Sequence, residues 1–107
     1  MTTFNKLSPA EVERLYYLSE ELAESIQAIQ KVLRHGYESR NPDLENGPTN
    51  REHLEEELGQ TMLAIALITA AQDLNENDML IHGERKAKVL HKWMHHQPFE
   101  LLDDLKD

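Results

Sequence analysis

The fold of this chain follows from the segment SPAEVERLYYLSEELAESIQAIQKVLR, residues 8–34. Ser8 stands at a predicted N-cap, Pro9 follows at the first helical position, and Glu11 completes a capping box. Leucine and isoleucine then recur at every third or fourth position, which is the period of one helix face. The pattern predicts a helix that ends near Arg34, with Gly36 as a left-handed C-cap, and that spans roughly 40 Å. The predicted apolar stripe consists of Leu15, Leu18, Leu22, Ile26, Ile29 and Leu33.

A second helix is predicted from about Asn50 to Leu74, after a loop with Pro and Gly at residues 38–48. Thr49 and Glu52 form its capping box. Residues 62–71 of this helix are apolar on all sides, and the few helices of one chain cannot cover such a surface. The pattern therefore favours self-association as a homodimer or homotetramer.

A third helix is predicted from Asp78 to His96, with Trp93 on its apolar side, and a short closing helix over residues 99–105. No segment alternates with the period of two that a strand requires. We therefore predict an all-α fold, a helical bundle built on a long antiparallel hairpin with a third helix and a short C-terminal helix. A length of 107 residues favours one domain over residues 1–107.

Composition excludes several classes of function. The formal net charge of −9 argues against a nucleic-acid polymer as partner. The absence of cysteine excludes disulfides, thiolate metal sites and a cysteine nucleophile. No apolar run approaches the roughly eighteen residues of a membrane span, and the N-terminus does not resemble a signal peptide. We expect a cytoplasmic protein without a membrane partner.

An acidic motif occurs twice, as Glu-Glu-Leu-Ala-Glu at residues 20–24 and as Glu-Glu-Leu-Gly-Gln at residues 56–60. Residues three apart share a helix face, so Glu21 lies beside Glu24, and Glu57 lies beside Gln60. If packing brings the two faces together, three carboxylates and one amide converge. Such a group favours a divalent cation, because close like charges repel unless a cation or proton intervenes.

Simpler interpretations stay open. In a chain with 20 acidic residues, such a motif is more often a solvated face. Gly59 within a helix suggests the close approach of another backbone or a ligand. His91 and His95 are spaced for zinc, but spacing supplies no third ligand. Trp93 is better explained as a core residue than as a platform for a base.

The motif pair, together with Arg34-His35-Gly36 and Gly47-Pro48-Thr49-Asn50, resembles the MazG-like nucleoside triphosphate pyrophosphohydrolases, especially the small forms of phages and bacteria. The resemblance covers roughly residues 8–71. It implies an all-α, oligomeric enzyme that uses Mg²⁺, or Mn²⁺ in its place, to hydrolyse nucleoside triphosphates to monophosphate and pyrophosphate in nucleotide-pool control.

The resemblance also implies residue roles. Glu20, Glu21, Glu24 and Glu57 would be catalytic, and the metal ligands would be Glu21, Glu24, Glu57 and Gln60. The chemistry itself needs cations beside the substrate phosphates, and Lys31, Arg34 and Lys86 could supply them. Lys31 and Arg34 are equally explained by the helix dipole at the end of the first helix, and Lys86 is better explained as a surface residue. The family pattern has Asp where this chain has Gln60, which predicts reduced activity. The alternatives are an inactive nucleotide-binding or scaffold protein and a plain helical oligomerisation module.

Overall fold

The computed structural model describes residues 4–105 of the chain. Its α-helices are α1 (Pro9–His35), α2 (Asn50–Ala70) and α3 (Glu76–Val89), and 3-10 helices follow at Leu90–Lys92 and Phe99–Leu105. The predicted all-α fold is confirmed. The short closing helix is present as the second 3-10 helix. Among the described residues, no helix has the length and apolar character that crossing a membrane requires.

The described chain divides into two compact units, with the boundary between Asp73 and Leu74. The first unit contains α1, the connecting loop and α2. The second contains α3 and the two 3-10 helices. The single domain predicted for residues 1–107 stays a prediction, and residues 1–3 and 106–107 lie outside the described part.

Both predicted capping boxes are present. At α1, the Ser8 hydroxyl accepts the Glu11 N–H at 3.1 Å, and the Glu11 carboxylate accepts the Ser8 N–H at 2.8 Å. At α2, Thr49 and Glu52 make the same reciprocal pair at 3.1 and 2.9 Å. Hydrogen bonds from the backbone and side chain of Thr49 lower the pKa of Glu52. The starts of α1 and α2 therefore agree with the sequence prediction.

The later boundaries differ from the prediction. α2 ends at Ala70 rather than near Leu74. Asp73, three residues later, accepts two hydrogen bonds from Arg14 at 2.6 and 3.1 Å, which ties this end of the hairpin to the first turns of α1. Those bonds lower the pKa of Asp73. α3 begins two residues earlier than predicted, because the Asn75 side chain provides its N-cap.

Small and polar side chains form the contact between α1 and α2. Ala28 and Ala64 are 0% and 1% exposed, and Ile68 is the only large side chain that is fully buried in the described chain. The remaining buried residues of the two helices are Glu21, Ser25 and Thr61. The two helices run antiparallel, as predicted, and pack extensively on each other.

Most of the predicted apolar stripe of α1 is exposed rather than buried in this contact. Leu22, Ile26 and Leu33 are 45%, 59% and 72% exposed. α1 is instead turned so that small side chains lie between the helices, where they permit close approach and direct hydroxyl hydrogen bonds. The large apolar side chains of the stripe are therefore left on the outside of the hairpin.

The second unit buries fewer side chains than the sequence predicts. Ala87 is the buried residue of α3, and the helix ends at Val89 rather than near His96. The assignment of Trp93 to the core is wrong, because its side chain is 62% exposed. Lys86 Nζ lies 4.4 Å from the centroid of the Trp93 ring, so a cation–π contact holds the indole at the surface.

The loop between α1 and α2 is fixed at both ends. Gly36 ends α1 with a φ of +87°, as its predicted role as C-cap requires, although its ψ of 165° is extended rather than left-handed helical. The Asn50 N–H donates to the Ser39 carbonyl at 2.8 Å, and the Arg51 N–H donates to the Tyr37 carbonyl at 2.9 Å. These bonds hold the start of the loop against the first turn of α2.

Candidate metal centre

Three carboxylates from the two motifs converge across the hairpin. Glu21 and Glu24 come from α1, and Glu57 comes from α2. Each offers one oxygen, and these oxygens lie within 4.8 Å of one another. The sequence predicted this convergence from helix geometry, and the contact between α1 and α2 produces it within a single chain.

Two oxygens of this carboxylate cluster are buried without a partner. Glu21 is 8% exposed, and Glu24 and Glu57 are half-buried. Among the described residues, Glu21 Oε2 and Glu57 Oε2 have no hydrogen-bond partner. A buried carboxylate oxygen without a hydrogen bond is costly, and nearly all such atoms in folded proteins are satisfied. No lysine or arginine of the described residues pairs with the cluster, so a bound cation would satisfy these two oxygens.

The electrostatics of Glu21 lead to the same conclusion. Burial raises its pKa above the usual value, and the neighbouring charges of Glu24, Glu57 and Glu20 raise it further. Each of these causes disfavours the ionised form. A bound cation would reverse the balance, because it stabilises the ionised carboxylates that repel one another in its absence.

Two hydroxyl groups fix the register of the cluster. Ser25 Oγ and Thr61 Oγ1 are 2.7 Å apart, within the buried contact between the helices. The Thr61 hydroxyl also lies 3.1 Å from the carbonyl oxygens of Glu21 and Glu57, one on each helix. The backbone at both motifs is thus linked through one side chain, which sets how the carboxylates face each other.

The donor set fits a small, hard divalent cation. In octahedral coordination with metal–oxygen distances of about 2.1 Å, ligand oxygens lie about 3.0 to 4.2 Å apart. The three oxygens of the cluster lie within 4.8 Å of one another, slightly wider than this spacing, and would supply part of such a shell. Oxygen ligands alone suit a hard cation such as Mg²⁺, Ca²⁺ or Mn²⁺ rather than a soft metal. Glu21, Glu24 and Glu57 are the residues that would hold it.

Three further residues of the two acidic motifs were singled out from the sequence, namely Glu20, Gln60 and Gly59. Glu20 is exposed and acts on Glu21 through its charge. Gln60 is half-buried and lies about one helical turn after Glu57, and its role as a fourth ligand stays a prediction. Gly59 is exposed. Apart from its chain neighbours and the backbone of its own helix, no described atom lies within 4 Å of the place of a Cβ, so the predicted close approach of another backbone is not made among the described residues.

The predicted cations belong to two different regions. Lys31 and Arg34 line an open cavity next to the loop between α1 and α2. Lys86 lies in the second unit, where it contacts Trp93. The structure therefore groups Lys31 with Arg34, and it places Lys86 in a local contact of its own.

Sequence reasoning missed His53. Its Nε2 lies 3.9 Å from Glu57 Oε1, and its side chain is only partly exposed. The spacing of four residues between His53 and Glu57 could have indicated this pair. A zinc site at His91 and His95 gains no support, because the described residues contain one group of three or more ligand side chains that could hold a metal, and it consists of Glu21, Glu24 and Glu57. The His91 ring instead meets the Phe99 ring edge-on.

Comparison with known proteins adds nothing to this geometry, since no family model, no curated protein and no solved structure matches the chain. The resemblance to the MazG-like pyrophosphohydrolases therefore stays a prediction from the sequence.

The raised pKa of Glu21 predicts that its ionised carboxylate destabilises the folded protein when no cation is bound. The folded state holds a proton on Glu21 more tightly than the unfolded state does, so this group's contribution is most favourable at acid pH. It becomes less favourable as the pH rises from the usual glutamate value of about 4.3 through the raised folded pKa. In EDTA at pH 7, Glu21→Gln should therefore be more resistant to urea than the parent.

The matched control is Glu56→Gln, which neutralises an exposed carboxylate on α2. Its urea midpoint should stay near that of the parent. The advantage of Glu21→Gln over the parent should shrink as the pH is lowered to 4. An advantage that is absent at pH 7, or that grows towards acid pH, would show that Glu21 is not strained in the folded protein.

Proposed function

We propose that this chain is a magnesium-dependent nucleoside triphosphate pyrophosphohydrolase that acts in control of the nucleotide pool, which would place it in the cytoplasm. The observation that supports this most directly is the convergence of Glu21, Glu24 and Glu57 with two buried, unpartnered oxygens. The resemblance of the motif pair to the MazG-like enzymes gives the substrate class. Mn²⁺ should substitute for Mg²⁺, because both accept the same oxygen ligands.

The reaction joins water to the first phosphorus of the triphosphate and breaks its bond to the bridging oxygen of the second. The products are a nucleoside monophosphate and pyrophosphate, and the proton of the attacking water must pass to a base. A bound divalent cation would neutralise phosphate oxygens and lower the pKa of a water molecule. The carboxylates of the cluster would hold that cation, and Glu20 adds negative charge beside them.

Cationic side chains are needed as well, because carboxylates repel phosphates. Lys31 and Arg34 follow Glu24 by two to three helical turns on α1 and line the adjacent cavity, where they could contact the phosphate groups. The contact of Lys86 with substrate stays an expectation from the sequence. Its test would be a KM that rises in Lys86→Gln.

The proposal predicts release of pyrophosphate from nucleoside triphosphates in the presence of Mg²⁺. Single replacements of Glu21, Glu24 and Glu57 by Gln should each weaken Mg²⁺ binding roughly tenfold or more, since even partners outside the ligand shell contribute that much. Pyrophosphate release should fall in each variant, whereas Glu56→Gln should retain both properties. Calorimetry and a coupled phosphate assay on a panel of nucleotides measure the two effects.

Two results would overturn the proposal in different ways. Unchanged Mg²⁺ affinity in all three variants would mean that the cluster is not the metal centre. Tight nucleotide binding without hydrolysis of any triphosphate would instead favour the alternative, a nucleotide-binding or scaffold protein that Gln60 has silenced.

Gln60 provides a second test of the same centre. Its amide oxygen can bind Mg²⁺ but brings no charge, so the site carries one negative charge fewer than the family pattern. Gln60→Asp should therefore bind Mg²⁺ more tightly and release pyrophosphate faster. If the parent already turns over rapidly and the Asp variant is no faster at saturating Mg²⁺, Gln60 is not the fourth ligand.

The proposal includes self-association through the outer apolar residues of the hairpin. These exposed residues are Leu22, Ile26 and Leu33 on α1 and Met62, Leu63 and Leu67 on α2. Large apolar residues exposed in this number mark an interaction surface. The buried apolar residues of the described chain are mainly alanines, so its own core is small. A second copy, in a homodimer or homotetramer, would supply the missing burial.

Leu63→Asp should therefore dissociate the assembly in sedimentation at micromolar concentration. Leu63 is chosen because it is 59% exposed, whereas Ile68 is buried within the chain and its replacement would test folding instead. The control is Asn77→Asp, which adds the same charge to α3 at an exposed position. A parent chain that sediments as a folded monomer would contradict self-association.

A further inference from the structure

A cavity of about 580 Å³ opens where α1 ends and α2 begins. Its walls come from the last turns of α1, the loop, and the first turn of α2. Its volume lies within the range of about 300 to 1,000 Å³ that small-molecule sites occupy. A second open pocket shares Lys31 and Arg34 with it and extends along α1 towards Ile26. We call the larger cavity the loop cleft.

The charge of the loop cleft is opposite to that of the whole chain. The protein has 20 acidic and 11 basic residues. Lys31, Arg34 and Arg40 nevertheless line the loop cleft together with His35 and His53, and no carboxylate of the described residues belongs to its lining. None of the three cations forms a salt bridge with a described residue, although Glu52 lies near enough to Arg40 to feel its charge. The loop cleft is therefore suited to an anion.

Hydrogen bonds hold the frame of the loop cleft in place before any ligand binds. The Asn50 side chain donates to the carbonyls of Gly36 at 3.1 Å and Lys31 at 3.4 Å, which joins the end of α1 to the start of α2. Arg40 Nε donates to the Gly47 carbonyl at 3.0 Å, and the backbones of Arg40 and Thr49 pair. A frame fixed in this way lowers the entropic cost of ordering the loop around a ligand.

His53 connects the loop cleft to the carboxylate cluster. It lines the cleft, and its Nε2 is 3.9 Å from Glu57 Oε1. Along α2, residues 50 and 53 precede Glu57 by seven and four positions, which corresponds to about 6 to 10 Å of helix. One ligand with several phosphate groups could therefore contact both regions.

We propose that the loop cleft is a phosphate-binding site in which Arg40 joins Arg34 as a principal contact, and that it holds the phosphates of the nucleotide at the end of the hairpin. This inference rests on the proposed function for the identity of the nucleotide, but the anion site stands on its own geometry. Arg40, His53 and Asn50 enter the site from the loop and from α2, outside both acidic motifs. The guanidinium groups of Arg34 and Arg40 have the planar shape that pairs with two phosphate oxygens.

The test is calorimetric binding to the full chain in EDTA at low salt, so that no metal contributes. The probes are inorganic pyrophosphate, AMP and adenosine. The parent should bind pyrophosphate and AMP, and adenosine much more weakly. Arg34→Gln and Arg40→Gln should each raise the pyrophosphate Kd about tenfold, as the loss of a charged hydrogen bond does. Arg85→Gln removes the same charge from an exposed position of α3 and should leave the Kd unchanged.

Arg34→Gln guards against a folding artefact, because Arg34 makes no hydrogen bond to the loop among the described contacts, whereas Arg40 does. Equal binding of adenosine and AMP, or no binding of pyrophosphate by the parent, would overturn the phosphate site. Pyrophosphate binding that both variants retain would overturn it too.

The outcome is separable from that of the proposed function. Hydrolysis in Mg²⁺ with an unchanged KM in Arg40→Gln would refute the phosphate site and leave the hydrolase standing. Pyrophosphate binding that depends on Arg34 and Arg40, in a chain that hydrolyses no triphosphate, would support the site and refute the hydrolase.

Discussion

The close contact between α1 and α2 is the constraint on which the rest of the first unit depends. Alanines and hydroxyl residues fill it, and the Ser25–Thr61 hydrogen bond joins it to the backbone of both acidic motifs. Because the filling side chains are small, the helices come close enough to force Glu21, Glu24 and Glu57 together. With these small residues facing each other, the large apolar residues of both helices lie on the outside. The same helix contact therefore produces both the carboxylate cluster and the exposed apolar surface.

Sequence reasoning succeeded where the signal is local. Each capping box uses four consecutive residues, and Ser8–Glu11 and Thr49–Glu52 begin their helices as predicted. The carboxylate cluster could also be predicted, because the two motifs lie on antiparallel helices and a single contact between those helices brings their carboxylates together. The positive φ of Gly36 followed from the need to end a helix before a turn.

Prediction failed where the choice of helix face decides the result. Leucine and isoleucine mark a buried stripe in most helices, yet Leu22 and Ile26 are exposed in this chain and Ala28 is buried. A helix pattern alone cannot tell burial within one chain from burial between chains. Trp93 was misplaced for a related reason, since its contact with Lys86 depends on a local packing arrangement. The residues that line the loop cleft follow no periodic pattern in the sequence. Arg40 reaches the cleft because the loop is closed by its hydrogen bond to Gly47 and its backbone pairing with Thr49.

In the proposed function, the contact between α1 and α2 builds a divalent-cation centre from Glu21, Glu24 and Glu57. Anomalous diffraction from crystals grown with Mn²⁺ tests this most directly, because it locates the ion without reference to activity. We expect an anomalous peak between the two helices, at coordination distance from oxygens of all three carboxylates. A well-ordered hairpin with no peak there at saturating Mn²⁺, or with Mn²⁺ bound only elsewhere on the chain, would contradict it.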